Sequence, residues 1–200
     1  MAEAIAKIED IIEDTGEGDR NMAQTGGNKT QADTAQAGCT IAQILEKMIL
    51  HSGGNARDVN HFMKVWAYAK TIGELEHLDE ETQFILEAAA AVHDIACPLC
   101  LEKYGNTNGE HQEKEGMPLV REFLQGSGIE ERRIERIAWL VGHHHTYTGI
   151  DGMDYQILLE ADYLVNADEM QDSREQVRNF RSRVFRTQAG IRLLESIFEI

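Results

Sequence analysis

From Thr40 to the final residue, large apolar side chains return at spacings of three and four, and this pattern most tightly limits what the chain can fold into. Strand-type alternation of useful length is missing from the sequence, no internal repeat is present, and only two prolines interrupt 200 residues. The expected class is all-α. The pattern predicts helices over 40–50, from an Asp58 cap to Gly73, from an Asp79 cap through the segment FILEAAAAVHD, and over 112–125, 130–141, 154–170 and 173–200. Pro118 must then sit in a first turn or kink its helix, and the last helix has a natural break at Gly190. A polar loop with Gly105 and Gly109 separates the third and fourth of these helices.

The start of the chain reads differently. Residues 2–13 predict a short amphipathic helix with Ile5, Ile8, Ile11 and Ile12 on one side. Residues 14–38 carry one large apolar side chain, Met22, too little to offset the entropy of ordering. The sequence therefore divides into a mostly flexible segment, 1–39, and a compact helical domain, 40–200.

A net charge of −16 argues against a nucleic-acid polymer as partner, because phosphate backbones are repelled and no basic stripe exists. The one basic stretch, Arg174 to Arg186, is diluted by Glu175 and apolar residues. A small anion stays open as a ligand, since a metal ion reverses the local field. Three cysteines do not make a disulfide framework at this length, and Cys97-x-x-Cys100 has no second pair to complete a zinc shell. No apolar run is expected to reach the roughly 20 residues that span a bilayer, and MAEAIAKIEDII lacks the features of a secretory signal. The expected compartment is the cytoplasm, with no membrane partner.

Four residues stand out chemically. His93-Asp94 ends the Ala-rich segment AAAAVHD. Asp162 lies in ILLEADYLV with Leu158 and Val165 as helical neighbours, and His61 shares a face with Val65 and Ile72. A carboxylate on such a stripe is expected to be buried, and a buried charge needs a partner or a metal. Two imidazoles and two carboxylates aimed inward from three helices would neutralise one divalent ion. Mixed nitrogen and oxygen ligands suit Mn, Fe, Co, Ni or Zn better than Mg or Ca.

The order His61 … His93-Asp94 … Asp162, with NHFMKVWAYA upstream and EADYLVNADE downstream, resembles the HD-domain superfamily of metal-dependent phosphohydrolases over about residues 40–170. The resemblance implies a helical bundle in which these four side chains hold a divalent transition metal. It also implies a candidate second ion, for which His111 and the run His143-His144-His145 are available. His144 best continues the inward face of its helix. The slot four residues before a glycine, where relatives place an extra histidine, holds Gln112.

The implied chemistry is attack of a metal-activated water on a small phosphate ester or anhydride, with a nucleotide favoured. Asp94 is then catalytic, and Lys64, three residues after His61, is the first candidate for the phosphate-binding cation, ahead of Lys103 and Arg57. Asp58 and Glu113 are candidates for proton transfer. Two other classes fit the same residues: a di-iron oxygenase on this fold, and a non-catalytic metal-bearing sensor or binding module. The apolar C-terminal helix either packs on the domain or contributes to a homodimer.

Overall fold

A computed structural model describes residues 38–200, and every regular element among them is an α-helix. The predicted helix at 2–13 and the polar segment that follows lie outside the described residues, as does nearly all of the segment 1–39.

Helix α1 (Ile41–His51) starts at a capping box, in which Thr40 accepts the Gln43 N–H and the Gln43 side chain returns to the Thr40 backbone. It buries Ile44, Leu45 and Met48. Helix α2 (Ala56–Leu75) is capped by Asn55, which accepts the Asp58 N–H. Asp58 is therefore not the cap but a first-turn acid, where the helix dipole favours a carboxylate. Gly73 does not end α2 either. It is buried inside the helix, where a Cβ would collide with the side chains of Gln83 and Leu86, and the chain turns four residues later at His77, with φ +59°.

Helix α3 (Glu80–Val92) begins at Asp79, which accepts the N–H groups of Glu81 and Thr82. Every residue from Ile85 to Val92 is buried, because α1, α2, α6 and α7 all pack on it. Alanines let several helices approach one segment without leaving voids. The stretch Glu80–Tyr104 is in fact long and apolar enough to match a membrane span by composition, which the sequence reading overlooked. In the fold it is divided between α3 and α4, and two-thirds of the apolar window is buried in the protein core.

Helix α4 (Cys97–Tyr104) was not expected. Pro98 stands in its first turn, where no N–H is required, and Gly105 closes it in the left-handed conformation at φ +71°. Helix α5 (Gly109–Leu124) starts three residues earlier than predicted, so Pro118 falls in its interior. Helices α6 (Glu131–Val141) and α7 (Met153–Glu169) follow. The whole of α7 from Asp154 to Val165 is buried, and with α3 it forms the centre of the bundle.

The C-terminal stretch breaks at residues 185–187 rather than at Gly190, giving α8 (Arg174–Val184) and α9 (Gln188–Phe198). The break has a cause in α7. Buried Glu160 accepts the N–H groups of Arg186 and Thr187 at 2.6 and 3.0 Å and the Gln156 side chain at 2.7 Å. Helical geometry would consume those backbone donors, so the carboxylate holds the segment extended. Gly190 is then required because a Cβ would strike the Glu160 carboxylate.

Candidate metal centre

Four segments deliver the polar groups of the core. His61 projects from the inner stripe of α2, in line with buried Val65, Ala69 and Ile72. His93 and Asp94 occupy the turn after α3, Asp162 lies midway along α7, and His144 and His145 follow α6. His61 Nε2 stands 3.2 Å from His93 Nε2, 3.4 Å from Asp94 Oδ2 and 3.4 Å from Asp162 Oδ1. His93 Nε2 is 3.5 Å from each of the same two carboxylate oxygens.

The tautomers follow from what lies behind each ring. His93 Nδ1 is 2.9 Å from the Ala90 carbonyl, and His144 Nδ1 is 2.7 Å from the Val141 carbonyl. His61 Nδ1 is 3.1 Å from Glu169 Oε2. Oxygens of these kinds accept only, so each Nδ1 carries a proton, and the Nε2 of each ring, when neutral, offers its lone pair to the cluster. The cluster thus gathers acceptors with no donor among them. Atoms bound about 2.0–2.2 Å from a shared ion sit about 3–3.5 Å from one another, which is the spacing found among His61, His93 and Asp94 and from both imidazoles to Asp162. The side chains fit a divalent cation.

A second group adjoins the first through Asp94. Its Oδ2 faces His61 and His93, while Oδ1 is 3.6 Å from His144 Nε2. Asp94, His144 and His145 also lie close enough together to share an ion. His144 Nε2 and His145 Nε2 are buried with no hydrogen-bond partner, an arrangement that is costly unless something binds there.

The electrostatics agree. Burial alone would lower the His93 pKa, but Asp94 and Asp162 outweigh it and carry it up to about 9. His61 is raised for the same reason: burial opposes, and the hydrogen bond to Asp162 prevails. Asp94 and Asp162 resist the upward push of burial and stay below the ordinary carboxylate range because the imidazoles face them. A proton is the smallest cation able to occupy this space, and a metal ion answers the same charge. His145 runs the other way, lowered to about 4 by burial and by His144, so its ring is neutral and able to ligate.

Several sequence-selected residues stand elsewhere. Lys64 lies 2.5 Å from Glu169 Oε1, so its charge is spent on the carboxylate that supports His61. Lys103 pairs with Glu115 at 2.8 Å. His111 stacks on Tyr104 at 3.8 Å and bonds Asn106 at 3.1 Å, outside both groups. On α5 the inward position falls on Gln112, in line with buried Gly116 and Val120; it is buried and 3.4 Å from the Cys97 sulfur. His143 also points away, stacked on Trp139 with Nδ1 2.7 Å from the Trp139 carbonyl, and His145 takes the place expected for it. Glu113 accepts the His145 N–H and the Thr146 hydroxyl, which pins the turn rather than moving protons.

Sequence reasoning missed Asn166 and Glu169. Asn166 Nδ2 donates to Asp162 Oδ1 at 2.8 Å, and Glu169 holds His61. They follow Asp162 by four and seven residues on α7, the helical spacing that marks one face and that would have found them.

Over the cluster lies a cleft of about 620 Å³, with Arg57, Asp58, Cys97, Gln112 and Tyr147 on its walls. Asp58 is raised above its ordinary pKa by burial and by Asp94.

A helical bundle whose central helix ends in a His-Asp doublet, completed by a histidine and an aspartate from two other helices, defines a histidine-carboxylate metal-site class. The HD-domain model matches residues 58–178, more than half of the chain, and the protein belongs to the HD-domain family. It is similar in fold to a predicted HD superfamily hydrolase from an uncultured Thermotogales bacterium, known from a crystal structure. The two share 20% identity with a TM-score of 0.58, over 80% of this chain and 83% of that one. No curated relative matches the sequence.

Proposed function

We propose that the protein is a phosphohydrolase that splits a small phosphate ester or anhydride, with nucleotides the favoured substrates. The observation that carries the reading is the donor-free set of His61, His93, Asp94 and Asp162, of which His61, Asp94 and Asp162 line an open cleft and His93 is buried behind them. A divalent ion held there supplies Lewis acidity and a water acidic enough to be attacked by base near neutral pH. Asp94, with an oxygen turned to each group, would be the residue common to two ions, were both groups to hold one.

The remaining roles fall to groups on the cleft walls. Arg57 is the side chain placed to neutralise a phosphoryl oxygen, in the role first expected of Lys64. Asp58 lines the same wall, and its raised pKa suits it to hold the proton that the departing oxygen needs. Glu169 fixes the His61 ring and keeps Nε2 free to ligate.

The test is elemental analysis of purified protein, followed by turnover of nitrophenyl phosphate and a nucleotide panel with Mn, Fe, Co, Ni or Zn. An Asp94→Ala variant runs alongside. The reading expects phosphate release from the metal-loaded protein and none from the variant. Tight ligand binding without phosphate release from any substrate would leave a sensor instead.

A further inference from the structure

Beside the cleft lies a second compartment of about 500 Å³. Tyr147, Tyr163, Asp172 and Phe180 line both spaces, so the two are neighbours across a shared aromatic wall. Phe180 lies parallel to Tyr163, with ring centres 3.6 Å apart and planes 1° apart, and meets Tyr147 edge-on at 5.2 Å and 90°. Tyr147 remains 43% exposed, which leaves aromatic surface turned to the cleft. The amides of Gln176 and Asn179 border this compartment.

Charge differs sharply between the two spaces. The metal-facing part is lined by five carboxylates (Asp58, Asp94, Asp162, Glu169 and Asp172) and by Arg57. The second compartment has one acid and one base, Asp172 and Arg183, and so adds no surplus positive charge. A chain of phosphates would extend negative charge toward carboxylates with one arginine to offset it. An aromatic wall instead favours a flat ring, which stacks or meets it edge-on.

On the strength of the phosphohydrolase reading above, we propose that the second compartment is the leaving-group subsite, and that the substrate carries a single phosphoryl group on an alcohol that also bears a planar ring with polar edges. Hydrolysis there breaks the bond between phosphorus and the ester oxygen. Water supplies the new oxygen on phosphorus, and a proton goes to the departing alcohol.

Benzyl phosphate and propyl phosphate test the proposal, because their alcohols are of similar acidity and differ in the ring. The ester carrying the ring should be favoured about tenfold in kcat/KM, mainly through KM. Benzyl diphosphate should be a poorer substrate than the monoester. In Tyr147→Ala and Phe180→Ala the benzyl-over-propyl ratio should fall to within about twofold of one, while Tyr147→Phe keeps it. Binding of benzylphosphonate and propylphosphonate to the Mn-loaded protein, followed by titration calorimetry, reads the same subsite without turnover. If no ester is hydrolysed but benzylphosphonate still binds tenfold tighter than propylphosphonate, the phosphohydrolase reading fails and the ring subsite stands. Equal binding of the two phosphonates overturns the subsite. So does a ratio that survives in folded Tyr147→Ala and Phe180→Ala, or a diphosphate preferred to the monoester.

Discussion

The floor of the cleft and its outer wall are built on different principles. At the floor, His93 and His144 are oriented by carbonyls of the turns that carry them, at Ala90 and Val141. Their geometry is set by the backbone, three residues away. On the wall, His61 is oriented by a side chain from 108 residues further on, and Glu169 is itself held by Lys64. Backbone support is insensitive to the identity of neighbouring side chains, whereas side-chain support can be removed by one substitution. The metal-facing core is therefore the rigid part of the site, and the α2–α7 edge is the part that substitution can tune.

The largest effect should come from the floor. Asp94→Ala removes the carboxylate common to both groups, and metal content should collapse with a loss of at least about 10³-fold in phosphate release. Retained metal measured by elemental analysis would show that the remaining ligands suffice, and the floor would not be the essential half.

Chelation comes next. Metal bound at about 100 times its dissociation constant stabilises the folded state by about 2.7 kcal/mol, which corresponds to a melting temperature higher by roughly 5–10 °C. The chelated protein should also depend on pH. His93 is raised from 6.5 to about 9 in the folded state, so its contribution is complete below 6.5 and is lost as pH rises through 9. Calorimetric scans of chelated protein should show falling stability across that window, and bound metal should flatten the slope. A slope of opposite sign would mean that the buried imidazole is neutral without metal.

The wall should yield less. Glu169→Gln should weaken metal binding or activity by about 10- to 100-fold, the usual cost of losing the group behind a ligating histidine. Lys64→Ala should cost only a few-fold, since that side chain is partly exposed and acts through Glu169. A larger loss in Lys64→Ala than in Glu169→Gln, read from kcat/KM, would return the lysine to direct contact with substrate. The smallest effect belongs to His111→Ala, which should leave metal stoichiometry unchanged.

Apolar stripes made the helices legible, and with them the inward course of His61 and Asp162, because Val65, Ile72, Leu158 and Val165 mark the buried faces. Phase was harder to read. An α-helix turns by about 100° per residue, and on α5 the buried stripe of Gln112, Gly116 and Val120 leaves His111 one step off the inward face. Gly109 seemed a loop residue in sequence, yet a Cβ there would meet the His145 ring. Turns carry no periodicity at all, which is why His143 and His145 could not be told apart. Asp58 is as good a capping acceptor as Asn55, so local chemistry does not reveal that α2 already starts at Ala56. Lys64 misled for another reason: its partner is 105 residues away, beyond any local pattern.

Glu160 and Asp162 sit two positions apart on α7, one gripping the extended link before α9 and the other turned to the metal cluster. A single rod therefore carries both the anchor of the C-terminal hairpin and a wall of the ion cage. Sliding or rotating that rod would displace the two together, so reshaping of the second compartment has to come through side chains of α8, with the backbone of α7 left where it is.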